Sequence, residues 1–230
     1  MTDEFLFCDE LGPEKVIEIY DPHTTLKAML VVDNVSLGPA IGGIRMAHDV
    51  TLKECTRLAR AMTLKNAAAG LDHGGGKSVI VADPGMSVAE KEVLIRAFAR
   101  GIRDIVDYVP GPDMGTNEAA MAWIKDEIGR AAGLPAQFGG IPLDEIGATG
   151  FGVAAAVRVA EDFADFRIDG GRIAVQGFGA VGQHAARFLA EKGARVVAVS
   201  DSRGAIYDAD GIDVNALIDV KRAGGAVTSH

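Results

Sequence analysis

Two lysines stand twelve residues apart, Lys65 in "MTLKNAAAG" and Lys77 in "LDHGGGKSVI", the second directly behind three glycines. A lysine beside glycines can hold a phosphate, or it can supply an amine that trades protons with a substrate. Phosphate binding of the P-loop kind needs G-x-x-x-x-G-K-[ST] and a helix that opens at the lysine. Here the first glycine's place is taken by Leu71, Gly70 is one position out of register, and "SVIVADP" after Lys77 reads as a strand. The glycines are therefore expected to bring backbone close to a substrate and to deliver Lys77 into a cleft. Lys65 falls with Leu58 and Met62 at i, i+4 and i+7, on the apolar stripe of a helix, where an ammonium needs an anion. An internal carboxylate, or a packed stem with its tip in water, meets that need as well as a ligand does. Two lysines converging on a glycine turn point towards a site. A lysine desolvated beside a second ammonium gives up its proton more readily, which suits a base working near neutral pH.

A second cluster lies downstream. Strand 172–176 runs into Gly177-Phe178-Gly179-Ala180-Val181-Gly182, the G-x-G-x-x-G pattern, and a helix follows without a break. Gly177 allows the tight turn, Gly179 the approach of a pyrophosphate, and Gly182 close packing of helix on strand, with the phosphates at the helix's positive end. Asp201 ends the next strand, 19 residues past the last glycine, where a carboxylate accepts hydrogen bonds from a ribose. NAD is the expected cofactor, and Arg203 nearby leaves NADP open.

These residues need elements to position them. "KVIEIY" (15–20) and "LKAMLVVD" (26–33) read as paired strands around the turn "DPHTT". In the helix that follows, Thr51 and Glu54 fit a capping box, and Leu52, Cys55, Leu58 and Met62 recur at helical spacing. "SVIVADP" reads as a buried strand, 87–106 as a helix with Leu94, Phe98, Ile102 and Ile105 on one face, and 116–130 as a third helix. From about 150 the pattern becomes strict α/β alternation: helix 151–164, strand "RIAVQ", helix 180–192, strand "RVVAVS". Such alternation implies parallel strands joined by helices. The expected fold class is α/β, with residues 1–145 forming an N-terminal substrate-binding and catalytic domain and 146–230 the first part of a dinucleotide-binding Rossmann domain.

"GPAIGGIRM", "MTLKNAAAGLDHGGGKSVI", "GPDMGTN" and "VQGFGAVG", in this order and spacing, resemble the glutamate/leucine/phenylalanine/valine dehydrogenase family over roughly residues 30–215. The resemblance implies reversible, nicotinamide-dependent oxidative deamination of an L-amino acid to a 2-oxo acid and ammonia, in a cleft between two domains. It also implies roles. Lys65 matches the lysine that grips the substrate α-carboxylate, Lys77 the catalytic lysine, and Asp113 the acid that relays protons. Gly42 and Gly43 would offer backbone amides near the substrate, with Met62 and Ile41 lining its pocket, and Thr149 would stand at the cofactor. Without the resemblance, Asp113 reads as an N-cap of the helix that follows it. Glutamate-using members carry a lysine where this chain has Ile41, and an apolar side chain cannot compensate a buried carboxylate. Leucine, valine or phenylalanine is therefore the expected substrate, and Gly111 in place of an alanine leans towards the larger ones. "AVSDSRGAIYDADG" resembles glutamate-using members instead, so glutamate dehydrogenase is the alternative, beside a silent nucleotide-binding or regulatory paralogue. Family members assemble through the first domain, so a homo-oligomer is expected. They also continue well over a hundred residues further, so a cut-off second domain with an open sheet edge and weak or no turnover is expected of these 230 residues alone.

Composition bounds the rest. With 23 basic and 32 acidic residues the net charge is −9, which repels nucleic acid and anionic membranes. No apolar run approaches a membrane span, and "MTDEFLFCDE" is acidic where a secretory signal is basic, so a cytoplasmic location is expected. Cys8 and Cys55 have no metal-ligand spacing, so no metal is expected, and Cys55 is assigned to packing. An oxidoreductase of 2-hydroxy acids would need a histidine with an orienting acid; none of His23, His48, His73, His184 or His230 shows one in sequence.

Overall fold

The structure is a computed structural model that describes residues 5 and 7–230, with only the backbone at position 144. It divides into two compact units, Met1–Pro142 and Leu143–His230.

The first unit is built on five strands: β1 (Lys15–Asp21), β2 (Leu26–Asn34), β3 (Ala40–Ala47), β4 (Gly74–Val81) and β5 (Tyr108–Pro112), in the order β1-β2-β4-β3-β5. β1 and β2 pair antiparallel as expected, across a turn in which Asp21 accepts from the His23 amide and the Thr24 hydroxyl. β2 runs antiparallel to β4, whereas β3 is parallel to both β4 and β5. β3 and β5 were not foreseen as strands. Gly42 and Gly43 break the pattern of the first, and two prolines break the second; β5 tolerates them because it lies at the sheet edge.

Side chains alternate across the strands, so the sheet has two distinct faces. Val31 and Val79 meet Cys55 and Ala59 of α1 (Leu52–Ala68) on one face. Burial among these groups pushes the Cys55 thiol up to about 12, which fits packing rather than reactivity. Leu30, Val32, Ile44 and Ile80 pack with Phe98 of α2 (Val88–Gly101) and Met121 and Ile124 of α3 (Glu118–Ile128) in the cluster on the other. The capping box expected at the start of α1 forms only by half. Thr51 accepts from the Glu54 amide, but the Glu54 carboxylate turns to Arg45; the complete box is at α2, between Ser87 and Glu90.

The three glycines before Lys77 are part of β4 itself. A Cβ at Gly74 would stand 1.7 Å from the Asn34 carbonyl oxygen, at Gly75 2.0 Å from the Thr63 amide nitrogen, and at Gly76 2.9 Å from the Tyr108 ring. What approaches this backbone is protein, not substrate: the missing side chains let β2, α1 and Tyr108 close on β4. Tyr108 is fully buried, its hydroxyl donating to the Gly42 carbonyl at 2.8 Å and meeting the Ser78 hydroxyl at 2.7 Å. That chain ties β5, β3 and β4 together beneath the lysine.

In the second unit α4 (Leu143–Ile146) and α5 (Ala148–Ala160) precede β6 (Arg172–Gln176), α6 (Ala180–Ala190) and β7 (Arg195–Asp201). β6 and β7 are parallel, as the alternation implies. A short β8 (Gly204–Tyr207) then turns back antiparallel on β7, and α7 (Val214–Arg222) follows. Phe178, Val196, Val199, Leu217 and Val227 form the core. Among the described residues no helix is long and apolar enough to cross a membrane.

Candidate active site

Lys77 sits in the middle of β4 on the face of Val79, only 5% exposed. A buried ammonium must be paired, and here it is: Nζ donates to Asp113 Oδ2 at 2.5 Å. Asp113 directly follows β5, where its amide donates to Thr116 Oγ1 (3.0 Å) and the Thr116 hydroxyl donates to the Ile44 carbonyl (2.8 Å). The turn after β5 is thus pinned to β3. The N-cap role is filled instead by Asn117, whose side chain accepts from the Ala120 amide.

Arg45 completes the cluster. It points to the same face as Lys77, with Nε donating to Asp113 Oδ2 at 3.0 Å and Nη1 to Glu54 Oε1 at 2.6 Å. Sequence reading missed it. The signal was there, since Arg45 lies two residues beyond Gly43, but only recognition of β3 as a strand converts that spacing into a shared face. Gly43 provides the room: a Cβ there would stand 2.7 Å from both Asp113 Cβ and the Pro112 oxygen and 3.3 Å from Lys77 Nζ. At Gly42 it would stand 1.7 Å from the Gly76 oxygen.

Burial pushes the Asp113 carboxyl up, but the Lys77 hydrogen bond and charge, the Met114 amide and Arg45 outweigh it and hold the group below its ordinary value. A carboxylate depressed in the native state binds its proton later than the unfolded chain does. The stability it contributes is therefore full above the unfolded value, about 3.9, and is lost as pH falls through the lower native one. Asp113→Asn lacks this dependence. Between about pH 5 and pH 2 its urea midpoint is expected to fall less steeply than the parent's, whereas parallel curves would mean that no ionised Asp113 is stabilised there.

Other sequence-derived positions fare differently. Lys65, in the last turn of α1, is exposed, and its ammonium makes no ion pair among the described residues. The expectation that it lies on the buried stripe is corrected: the buried positions are Cys55, Thr56, Ala59 and Asn66, the last donating to the Gly74 carbonyl at 2.7 Å. Nor is Lys77's partner a second ammonium; it is a carboxylate. Ile41 and Met62 are half-buried. A Cβ at Gly111 would meet the Gly42 oxygen at 3.9 Å and Ala132 at 4.0 Å, ordinary contacts with protein, so this glycine says nothing about substrate size. His48 does have an acid near it, Asp83 at 3.6 Å, but both are exposed on the surface.

In the second unit the fingerprint residues fit a dinucleotide's phosphates. Gly177 has φ of +89°, and nothing lies within 4 Å of a Cβ built on Gly177 or Gly179. Gly179 caps α6 with no side chain bonded to the first-turn amides, beside exposed Ala180 and Val181. A Cβ on Gly182 would stand 1.9 Å from the Gly177 oxygen, so only glycine lets helix and turn meet. Phe178 is buried and its side chain belongs to the core. Thr149 is exposed in the first turn of α5. Asp201 differs from a plain ribose acceptor, because its carboxylate is already occupied by Lys221 and by the amides of Arg203 and Val227.

Comparison with known proteins agrees with this geometry on both units. Residues 13–130 match the family described as Glu/Leu/Phe/Val dehydrogenase, dimerisation domain, and residues 139–230 match Glutamate/Leucine/Phenylalanine/Valine dehydrogenase. The chain is 37% identical to an NAD-specific glutamate dehydrogenase of Staphylococcus aureus over 85% of its own length and 50% of the relative's. It is 36% identical to an NADP(+)-dependent glutamate dehydrogenase of Pyrobaculum calidifontis over 90% and 54%. Among solved structures, the hetero-hexameric glutamate dehydrogenase of Thermus thermophilus in its leucine-bound form is 31% identical, with a TM-score of 0.80 over 93% of this chain and 56% of that one. The chain thus spans about half the length of the curated relatives it matches. Matched across both units, with the paired Lys77 and Asp113 in one and the glycine turn in the other, the chain belongs to the glutamate/leucine/phenylalanine/valine dehydrogenase family.

Proposed function

We propose that the protein is a nicotinamide-dependent dehydrogenase that reversibly deaminates an L-amino acid to a 2-oxo acid and ammonia. The observation that carries this reading is the buried Lys77–Asp113 pair at 2.5 Å, a proton donor and acceptor held within one hydrogen bond of each other. A nicotinamide held at the glycine turn would supply the acceptor for the hydride of the substrate's α-carbon; the remaining work falls to the chain. Lys65, exposed and without an ion partner among the described residues, holds the α-carboxylate. As the base, Lys77 takes a proton from the attacking water, and that proton passes along the 2.5 Å hydrogen bond to Asp113 and on to the departing amine. Arg45 and Glu54 keep Asp113 in place. The first-turn amides of α6, from Ala180 to Gly182, which no side chain caps, would cradle the pyrophosphate. Assembly into a homo-oligomer runs through the first unit, the part that matches a dimerisation domain.

The relatives' names support glutamate as the substrate, ahead of the leucine, valine or phenylalanine expected from the sequence. A second reading, an apolar amino acid, is favoured by one observation: the half-buried side chain at position 41 is isoleucine and offers no charge to a second carboxylate. Initial rates of NAD and NADP reduction with glutamate, leucine, valine and phenylalanine, measured on a chain extended to the relatives' full length, test both. Glutamate turnover alone supports the first reading, apolar turnover alone the second, and turnover of none of the four overturns the proposed activity.

A further inference from the structure

The acid at the end of β7 is placed for a ribose but does not stand free. The Gly177 amide donates to the Ser200 carbonyl at 3.0 Å, which sets the glycine turn beside Asp201. Asp201 Oδ2 accepts from Lys221 Nζ at 2.7 Å and from the Val227 amide at 3.0 Å, and Oδ1 accepts from the Arg203 amide at 2.8 Å. Its side chain is 7% exposed, that of Lys221 17%. The Arg203 guanidinium lies nearby, anchored on the Gly224 and Gly225 carbonyls.

An acid that selects NAD does so in two ways. Its free lone pairs accept from the ribose 2′-hydroxyl, and its charge repels a 2′-phosphate. Here three donors already fill most of the carboxylate, and Lys221 cancels its charge. With Arg203 included, this corner carries a formal charge of +1 (one acid against two bases). The Lys221 ammonium has three N–H groups, of which Asp201 takes one. No other partner takes the remaining two among the described residues, which leaves them for an incoming anion.

We propose that Lys221 is a specificity-determining residue: by neutralising Asp201 and offering its remaining donors, it admits a 2′-phosphate, so that the site binds NADP as well as NAD. This rests on the dinucleotide site of the proposed function, and it adds α7, an element outside the glycine fingerprint, to cofactor recognition. Position 221 lies 20 residues beyond Asp201, so only the fold brings the pair together.

The test uses binding rather than turnover. The purified protein is titrated with 5′-ADP and with 2′,5′-ADP, two fragments that differ by the 2′-phosphate alone, and then with NAD and NADP. The parent is expected to bind the two fragments within about tenfold of each other. Lys221→Gln is expected to weaken 2′,5′-ADP by roughly tenfold or more and 5′-ADP by less than about twofold, while Lys221→Arg retains both. If Lys221→Gln does not fold, Asp201→Asn decides: freeing the lysine, it should tighten 2′,5′-ADP. A parent that rejects 2′,5′-ADP overturns the proposal, as does a Lys221→Gln variant that weakens both fragments equally or neither. Those results leave the dinucleotide site standing. Failure of the parent to bind any of the four nucleotides removes that site, and the role of Lys221 falls with it.

Discussion

Lys77→Ala is expected to lower kcat by about 10²–10⁴, the usual contribution of a positioned acid–base group, with a smaller effect on the KM for the amino acid. The prediction is sharp because the fold should survive. Removing the ammonium deletes one partner of Asp113 but leaves Arg45 bonded to the same oxygen at 3.0 Å, so the carboxylate is not stranded without a cation. A loss of about 1.5–3 kcal/mol of stability, the worth of a charge-assisted hydrogen bond, is expected in urea titration. Cofactor binding should be unchanged, since it depends on the second unit. The measurement that decides is kcat for the variant, in a chain extended to the relatives' full length, beside its affinity for the cofactor. Retained turnover would mean that Lys77 is only a structural ion pair and would overturn its role as the base.

Gly43→Ala should damage both stability and rate, for a reason that sequence comparison of glycines could not supply. The added methyl would stand 2.7 Å from Asp113 Cβ and from the Pro112 carbonyl oxygen, and 3.3 Å from Lys77 Nζ. The carbonyl belongs to the β3–β5 ladder, in which Gly43 faces Gly111 and Ile44 faces Pro112, so it cannot swing aside as a long side chain can. Overpacking of this kind costs about 1–3 kcal/mol. The strain is relieved by moving Asp113 away from Lys77, and a displacement near 1 Å in a positioned group costs on the order of 10²-fold in rate. Gly111→Ala is the control on the neighbouring strand. Its methyl would find contacts of 3.9 and 4.0 Å, so stability should stay within about 0.5 kcal/mol and kcat should match the parent. Equal behaviour of the two variants in kcat and urea midpoint would refute the crowding explanation.

Periodicity and short-range signals made much of the chain legible. α1, α2, α3 and α6 announce themselves through spacing and caps, β2 through a continuous apolar run, and β6 and β7 through their alternation with helices. The strands that escaped are those in which glycine and proline hide the pattern, β3 with its Gly42-Gly43, β5 with Pro110 and Pro112, and the short β8, and the helices α4 and α7 escaped as well. Those omissions had a consequence for the site. Arg45 and Gly43 could be recognised as neighbours of Lys77 and Asp113 only once β3 was known to lie between β4 and β5. Lys65 shows the opposite error, in which helical spacing was read as burial although the buried arc passes to one side of it.

By itself the amino-acid sequence determined the identity and order of the motifs, the α/β class, and the glycines at the start of α6, because each of these is written in residues close together along the chain. The tertiary structure alone decided which charges meet. Lys77 reaches Asp113 across 36 residues, Arg60 reaches Asp33 across 27, and Lys221 reaches Asp201 across 20. It also decided that the glycines before Lys77 make room for protein rather than ligand. Ion pairing and close packing are relations between surfaces brought together by strand order, and a linear spacing holds no information about them until that order is known.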